Sequence, residues 1–125
     1  MSGLDKTNRF GDKREVDAVV KLKELFKTDK VKKVGELGGV DDMIKGIDAT
    51  VDLGEGIKTI QIKPFNRVSN KNGKVIVYGT ANVKPYKTDY LVFHNNKLGT
   101  KIFDNSSTKI INGRYVFNES SEYIN

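Results

Sequence analysis

The residue types best suited to chemistry in this 125-residue chain lie in Lys45-Gly46-Ile47-Asp48-Ala49-Thr50-Val51 and in Thr59-Ile60-Gln61-Ile62-Lys63-Pro64. Both stretches read as short strands. Residues two apart on a strand share a face, so Gln61 and Lys63 point one way and Ile60 and Ile62 the other. If the strands pair, Asp48, Gln61 and Lys63 converge: a carboxylate, an amide oxygen and an ammonium. That trio suits a divalent cation and the activation of water against a phosphodiester. The competing account is an exposed Asp–Lys pair at a strand end, contributing about 0–1 kcal/mol and no chemistry.

The elements around these residues can be read from pattern. Residues 11–27 are predicted to be helical, with Asp12 as the N-cap and Val16, Val19, Val20, Leu22, Leu25 and Phe26 on one face. Glu15 falls near the middle of that face. A carboxylate there is costly unless something pairs with it, although a first-turn acid also suits the helix dipole. Residues 28–44 read as a polar connector holding Gly35, Gly38 and Gly39, with a helical turn at Val40–Ile44. Its glycines lack the Lys-Ser/Thr of a phosphate loop. Strands follow near 47–53 and 57–63, and Pro64 ends the pairing of the second.

Further along, Asn72-Gly73 and Asn112-Gly113 each sit between β-rich runs, the signature of a hairpin. Thr88–His94 is nearly continuous in apolar residues, as for a strand buried on both faces. Lys101–Phe103 reads as another short strand, residues 66–87 show no helix pattern, and the tail from Glu119 to Asn125 reads as frayed. His94, in its apolar strand, reads as a hydrogen-bonded core or edge histidine. Asp89 could cap a turn or flank the site. Tyr78, Tyr86 and Tyr90 near Lys84 and Lys87 could stack bases beside phosphate contacts, or simply pack. Ser106-Ser107-Thr108 with one distant histidine makes no hydrolase triad.

Composition narrows the chemistry. There is no cysteine and one histidine, which excludes disulfides, thiolate zinc and multi-histidine sites. A metal would be held by oxygen, favouring Mg2+ or Mn2+. Hydrophobic residues make up 37% and mean hydropathy is −0.50, as for one globular domain. No apolar run is long enough for a transmembrane helix, and Met1–Lys6 lacks the apolar segment of a secretory signal, so a cytoplasmic, non-membrane protein is expected. Net charge is +6, distributed as +4 over residues 1–34, −5 over 35–57 and +7 over 58–125. An acidic island holding Asp48 inside a basic chain fits a cation site surrounded by phosphate-attracting surface.

The ordered set of Glu15 on a helix, Gly46-Ile47-Asp48-x-x-Val51, a turn, Gln61-Ile62-Lys63 and a later buried strand resembles the PD-(D/E)XK nuclease superfamily, which includes restriction endonucleases and Holliday-junction resolvases. Asp41 and Asp42, just upstream of Lys45-Gly46-Ile47-Asp48, are similar to the lead-in of several such enzymes. The third motif has Gln61 where an acid is commonest, as in some active members, and a hairpin replaces the family's second helix.

The resemblance implies an α/β fold with a restriction-endonuclease-like core, the N-terminal helix packed on a mixed sheet with additional β-hairpins. The expected single domain spans 1–125, with its core over about 10–104 and a C-terminal hairpin over about 105–118. It implies Asp48 as central metal ligand, Gln61 and the Ile62 carbonyl completing the shell, Glu15 ligating directly or through water, and Lys63 orienting or deprotonating the attacking water. Lys45, Lys84, Lys87 and Tyr86 would meet DNA. The implied activity is Mg2+-dependent DNA hydrolysis leaving a 5′-phosphate and 3′-hydroxyl. A homodimer would allow paired cuts. Lysine- and asparagine-rich composition suits a phage or mobile element. The alternatives are a non-catalytic nucleic-acid-binding or virion-type structural protein with a degenerate nuclease fold, and a small module for an acidic partner.

Overall fold

Ala18, Val19, Leu22 and Phe26 repeat at helical spacing, and they are the buried stripe of the helix α1, Gly3–Phe26. The computed structural model describes residues 3–34 and 46–123, with side chains for 13–34 and 46–123. At roughly 100° per residue, Glu15 falls in the middle of the sector covered by these four residues. Two expectations change. Val16 (46% exposed), Val20 (55%) and Leu25 (37%) lie outside the stripe, which is narrow because the helix packs on one sheet only. Asp12 is no cap: the helix starts at Gly3 and runs through Gly11, since one interior glycine costs only about 1 kcal/mol.

Beyond the helix come β1 (Val31–Lys33), β2 (Ala49–Asp52), β3 (Ile57–Pro64), β4 (Arg67–Lys71), β5 (Lys74–Tyr78), β6 (Tyr90–Asn95), β7 (Gly99–Asp104), β8 (Lys109–Ile111) and β9 (Arg114–Asn118). Among the described residues the chain is therefore mixed α/β, with one N-terminal helix and two sheets. One sheet has the order β1-β2-β3-β6-β7, antiparallel except for the parallel pair β3–β6. The other, β4-β5-β9-β8, is antiparallel throughout. The connector read over 28–44 hides β1, whose Val31 is fully buried against the helix. A three-residue strand between lysines carries too short an alternation to announce itself. The helical turn expected at Val40–Ile44 lies outside the described residues.

Two cores follow from strand alternation. Ile60, Ile62, Ala49, Val51, Val92 and Ile102 meet α1 on one face of the first sheet. Leu91, Phe93 and Phe103 point to the other face, where they pack on Val75, Val77, Tyr115 and Phe117 of the second sheet. The Phe93 ring meets Phe65, Phe103, Tyr115 and Phe117 at centroid distances of 5.7–6.3 Å. Strand β6 is thus buried on both faces, as its unbroken apolar run requires.

The hairpin β4–β5 turns at Asn72 (φ 53°) and Gly73 (φ 76°), and β8–β9 at Asn112 (φ 53°) and Gly113 (φ 73°). Paired positive φ angles match the twist of the strands they join. Residues 66–87 hold a hairpin and loop and no helix, as their pattern indicates. The tail is docked rather than frayed as far as Tyr123. Its N–H donates to the Ile102 carbonyl at 2.8 Å and its ring lies 4.8 Å from Phe26. Among the described residues no helix is long and apolar enough to cross a membrane.

Candidate functional site

Asp48 immediately precedes β2. Its N–H donates to the Ile60 carbonyl at 2.8 Å, the residue that Ala49 also faces, so two successive residues address one neighbour in the manner of a β-bulge. The Asp48 carbonyl accepts from Val34 N–H at 2.8 Å. Its Oδ2 accepts from Ile62 N–H at 2.9 Å, which pins the carboxylate beside the middle of β3.

Burial raises the Asp48 carboxyl pKa above its ordinary value of 3.8. The Ile62 amide and, more weakly, the charges of Arg14, Lys63 and Lys33 pull it back. Desolvation outweighs one hydrogen bond and three cations. A carboxylate held in that condition is stabilised by anything that adds positive charge next to it.

Gln61 and Lys63 share the face of β3 opposite Ile60 and Ile62, as the alternation predicts. Gln61 is 8% exposed. Its Nε2 donates a long 3.4 Å bond to the Ile62 carbonyl, while its buried Oε1 has no hydrogen-bond partner. A buried acceptor without a donor costs roughly 1–3 kcal/mol, which a water or a cation would relieve.

Lys63, 7% exposed, sends its ammonium to the carbonyls of Ala81 (3.3 Å) and Asn82 (3.1 Å), with the Tyr86 ring centroid 4.9 Å away. Lys63 thus ties β3 to the loop between β5 and β6, and its charge still reaches Asp48. Tyr86 also packs on Gly46, where a Cβ would lie 3.0 Å from the ring.

Glu15 sits half-buried in the middle of the inward stripe of α1. The charge of its neighbour Arg14 reaches Asp48 and lowers its pKa. Arg14 was not singled out in the sequence. Its spacing of four from Ala18 and eight from Leu22 was the available signal. Its buried Nε lacks a partner, and with Lys13, Asp17, His94 and Asn96 it lines a cleft of about 340 Å³. His94 is fully engaged there, Nδ1 with Thr100 Oγ1 at 2.7 Å and Nε2 with Asn96 Oδ1 at 3.0 Å. Asp89 accepts from Thr59 N–H at 2.8 Å and Thr59 Oγ1 at 3.1 Å, fastening β3 to the start of β6.

Of the nucleic-acid residues, Lys84 is exposed, with Nζ 5.5 Å from the Tyr86 centroid. Lys87 shares a cleft of about 280 Å³ with Asp89 and Asp104, two carboxylates that offset its charge. Lys45 lies outside the described residues.

Among the described residues no three His, Asp or Glu side chains gather into a metal cluster. The donors that fit a hard cation are Asp48, the unpartnered Gln61 Oε1 and the Ile62 carbonyl, while Glu15 belongs to the helix packed on the Ile60/Ile62 face, opposite the face that carries Gln61. Arg14, Lys33 and Lys63 make the surroundings electropositive, so such a cation would be held weakly until an anion arrives with it. Compared with known proteins, the chain matches no family model, no curated protein and no solved structure.

Proposed function

We propose that this protein is a Mg2+- or Mn2+-dependent DNA endonuclease built on a restriction-endonuclease-like core. The observation that carries the reading is Asp48, a half-buried carboxylate whose pKa desolvation raises, bound to the N–H of Ile62, with the unsatisfied Gln61 Oε1 one residue earlier on that strand. The order of elements supports it: a helix, three antiparallel strands, the β4–β5 hairpin, then a strand parallel to the third.

In this reading Asp48, Gln61 and the Ile62 carbonyl would hold the ion, which would supply Lewis acidity toward the scissile phosphate. Water adds to phosphorus, the bond to O3′ breaks, and the departing oxygen takes the proton, leaving a 5′-phosphate and a 3′-hydroxyl. Lys63 positions water or steadies phosphate charge after leaving one of its two carbonyl partners. Arg14 and Lys33 attract the phosphate. A homodimer would let paired sites cut both strands.

Incubation with supercoiled, linear, single-stranded and branched DNA, with Mg2+ or Mn2+, tests this directly. Cutting that needs metal and vanishes in Asp48→Asn and Lys63→Ala is the expected result. Intact DNA under every condition defeats it. The second reading, a degenerate fold that binds nucleic acid without cutting, is favoured by the two carbonyl bonds that already hold the Lys63 ammonium.

A further inference from the structure

The four strands of the second sheet, Arg67–Lys71, Lys74–Tyr78, Lys109–Ile111 and Arg114–Asn118, contain five Lys or Arg and no acid. Their inner face, with Val75, Val77, Tyr115 and Phe117, is spent on the core. Alternation therefore sends Arg67, Tyr78 and Arg114 outward.

These three form one row across β4, β5 and β9. Arg67 pairs with Tyr78, and Val77 pairs with Tyr115, so the next position sets Tyr78 opposite Arg114. The Arg67 guanidinium lies 3.9 Å from the Tyr78 ring centroid and that of Arg114 lies 4.8 Å from it. Among the described residues neither guanidinium has a hydrogen bond or ion pair with the protein. Both side chains are exposed, and each guanidinium sits over the Tyr78 ring.

The other three cations extend the row into a patch. Lys109 stands one row away, opposite Val116, and Lys71 and Lys74 face each other at the far end. Strand geometry places the two arginines roughly 10 Å apart and the lysine end ~13 Å along the strands. Glu119, just past β9, is an acid at that end, where its N–H donates to the Gly73 carbonyl. At the arginine end the chain runs from Tyr78 through Gly79 and Thr80 to Ala81 and Asn82, whose carbonyls hold Lys63.

We infer that the outer face of the second sheet is a nucleic-acid-binding platform, with Arg67 and Arg114 gripping successive parts of the phosphate backbone. Charge alone would suit any polyanion. The planar guanidiniums stacked on Tyr78 favour nucleic acid, because they offer paired donors to phosphate oxygens and flat faces to bases. Holding them on the ring in advance lowers the ordering cost of binding. The platform goes beyond the Asp48 site, and binding to it needs no metal.

The test uses the full chain in a chelator, with fluorescently labelled 20-mers of single-stranded DNA, duplex DNA and RNA, read by anisotropy across a salt series. Arg67→Ala/Arg114→Ala is expected to weaken binding at least tenfold and to reduce the salt slope by about 1.5. Arg67→Lys/Arg114→Lys should recover only part of the affinity, because charge returns without the fork. Lys109→Glu, a single exposed change, should also weaken binding, and it serves if the arginine pair fails to fold. Unchanged affinity and slope in these variants overturns the inference. So does displacement by polyglutamate at equal charge concentration, which would reassign the face to acidic protein. If the arginines control binding but nothing is cut when Mg2+ or Mn2+ replaces the chelator, the nuclease reading falls and the platform stands. If DNA is cut while the arginine variants bind normally, the platform falls and the nuclease stands.

Discussion

The Asp48 carboxylate accepts the backbone N–H of Ile62 at 2.9 Å, so the residue before one strand is anchored to the centre of the next. That bond fixes the carboxylate beside Gln61 and leaves its charge incompletely compensated. Each group at the site can be tested through this arrangement.

Asp48→Asn keeps an acceptor for Ile62 and removes the desolvated charge. Because burial raises the folded-state pKa, the carboxyl favours folding below its ordinary 3.8, and this contribution is lost as pH rises through the folded value. At pH 7 without metal the variant should melt higher by about 3 °C. The gain should shrink as the pH falls toward 3.8. Melting curves across pH check this, and a variant that melts lower than wild type at neutral pH contradicts it. Mn2+ should raise the melting point of wild type and leave the variant unmoved.

Gln61→Glu places a second carboxylate next to Asp48. Without metal, like charges in a buried site should lower the melting point by several degrees at pH 7. With metal, Mn2+ affinity measured by calorimetric titration should rise about tenfold, since a charged oxygen replaces a neutral one. Equal affinities would remove Gln61 from the ligand set.

Lys63→Ala strands the Ala81 and Asn82 carbonyls and removes a buried stem. A loss of about 1–3 kcal/mol is expected in denaturant unfolding, with faster amide exchange in the loop between β5 and β6. Lys63→Met keeps the stem and should recover part of the stability with none of the cutting. Recovery of cutting in Lys63→Met would show that the ammonium serves the fold alone.

Gly46→Ala meets two obstacles at once, a backbone at φ 80° and a Tyr86 ring atom 3.0 Å from the new methyl. The conformational part alone costs about 1–2 kcal/mol. In the Tyr86→Ala background the steric part disappears and the cost should fall to that value. A double-mutant cycle in urea separates the two contributions.

Much of the frame was legible in local pattern. The alternation over 57–64, the two Asn-Gly turns and the apolar run at 90–94 fix short-range conformation, and the strands lie where they say. So does the single-face placement of Gln61 with Lys63, which follows from the two-residue period of a strand. Glu15 was also readable, because helical spacing sets its direction whatever surrounds it. Strand β1, the outward turn of Val16 and Val20, and the docking of Tyr123 on Phe26 were not readable, since each depends on a surface supplied from elsewhere in the chain.

The sequence by itself determined which groups could meet: a carboxylate before one strand, an amide and an ammonium on the next, and an acid on the inner side of a helix. Only the tertiary structure decided what each group does on arrival. Desolvation of Asp48, the orphaned oxygen of Gln61, the carbonyls that hold Lys63, and the stacking of Arg67 and Arg114 on Tyr78 all join residues distant along the chain. Burial and electrostatics act through space, so they exist only once both sheets and the helix have packed.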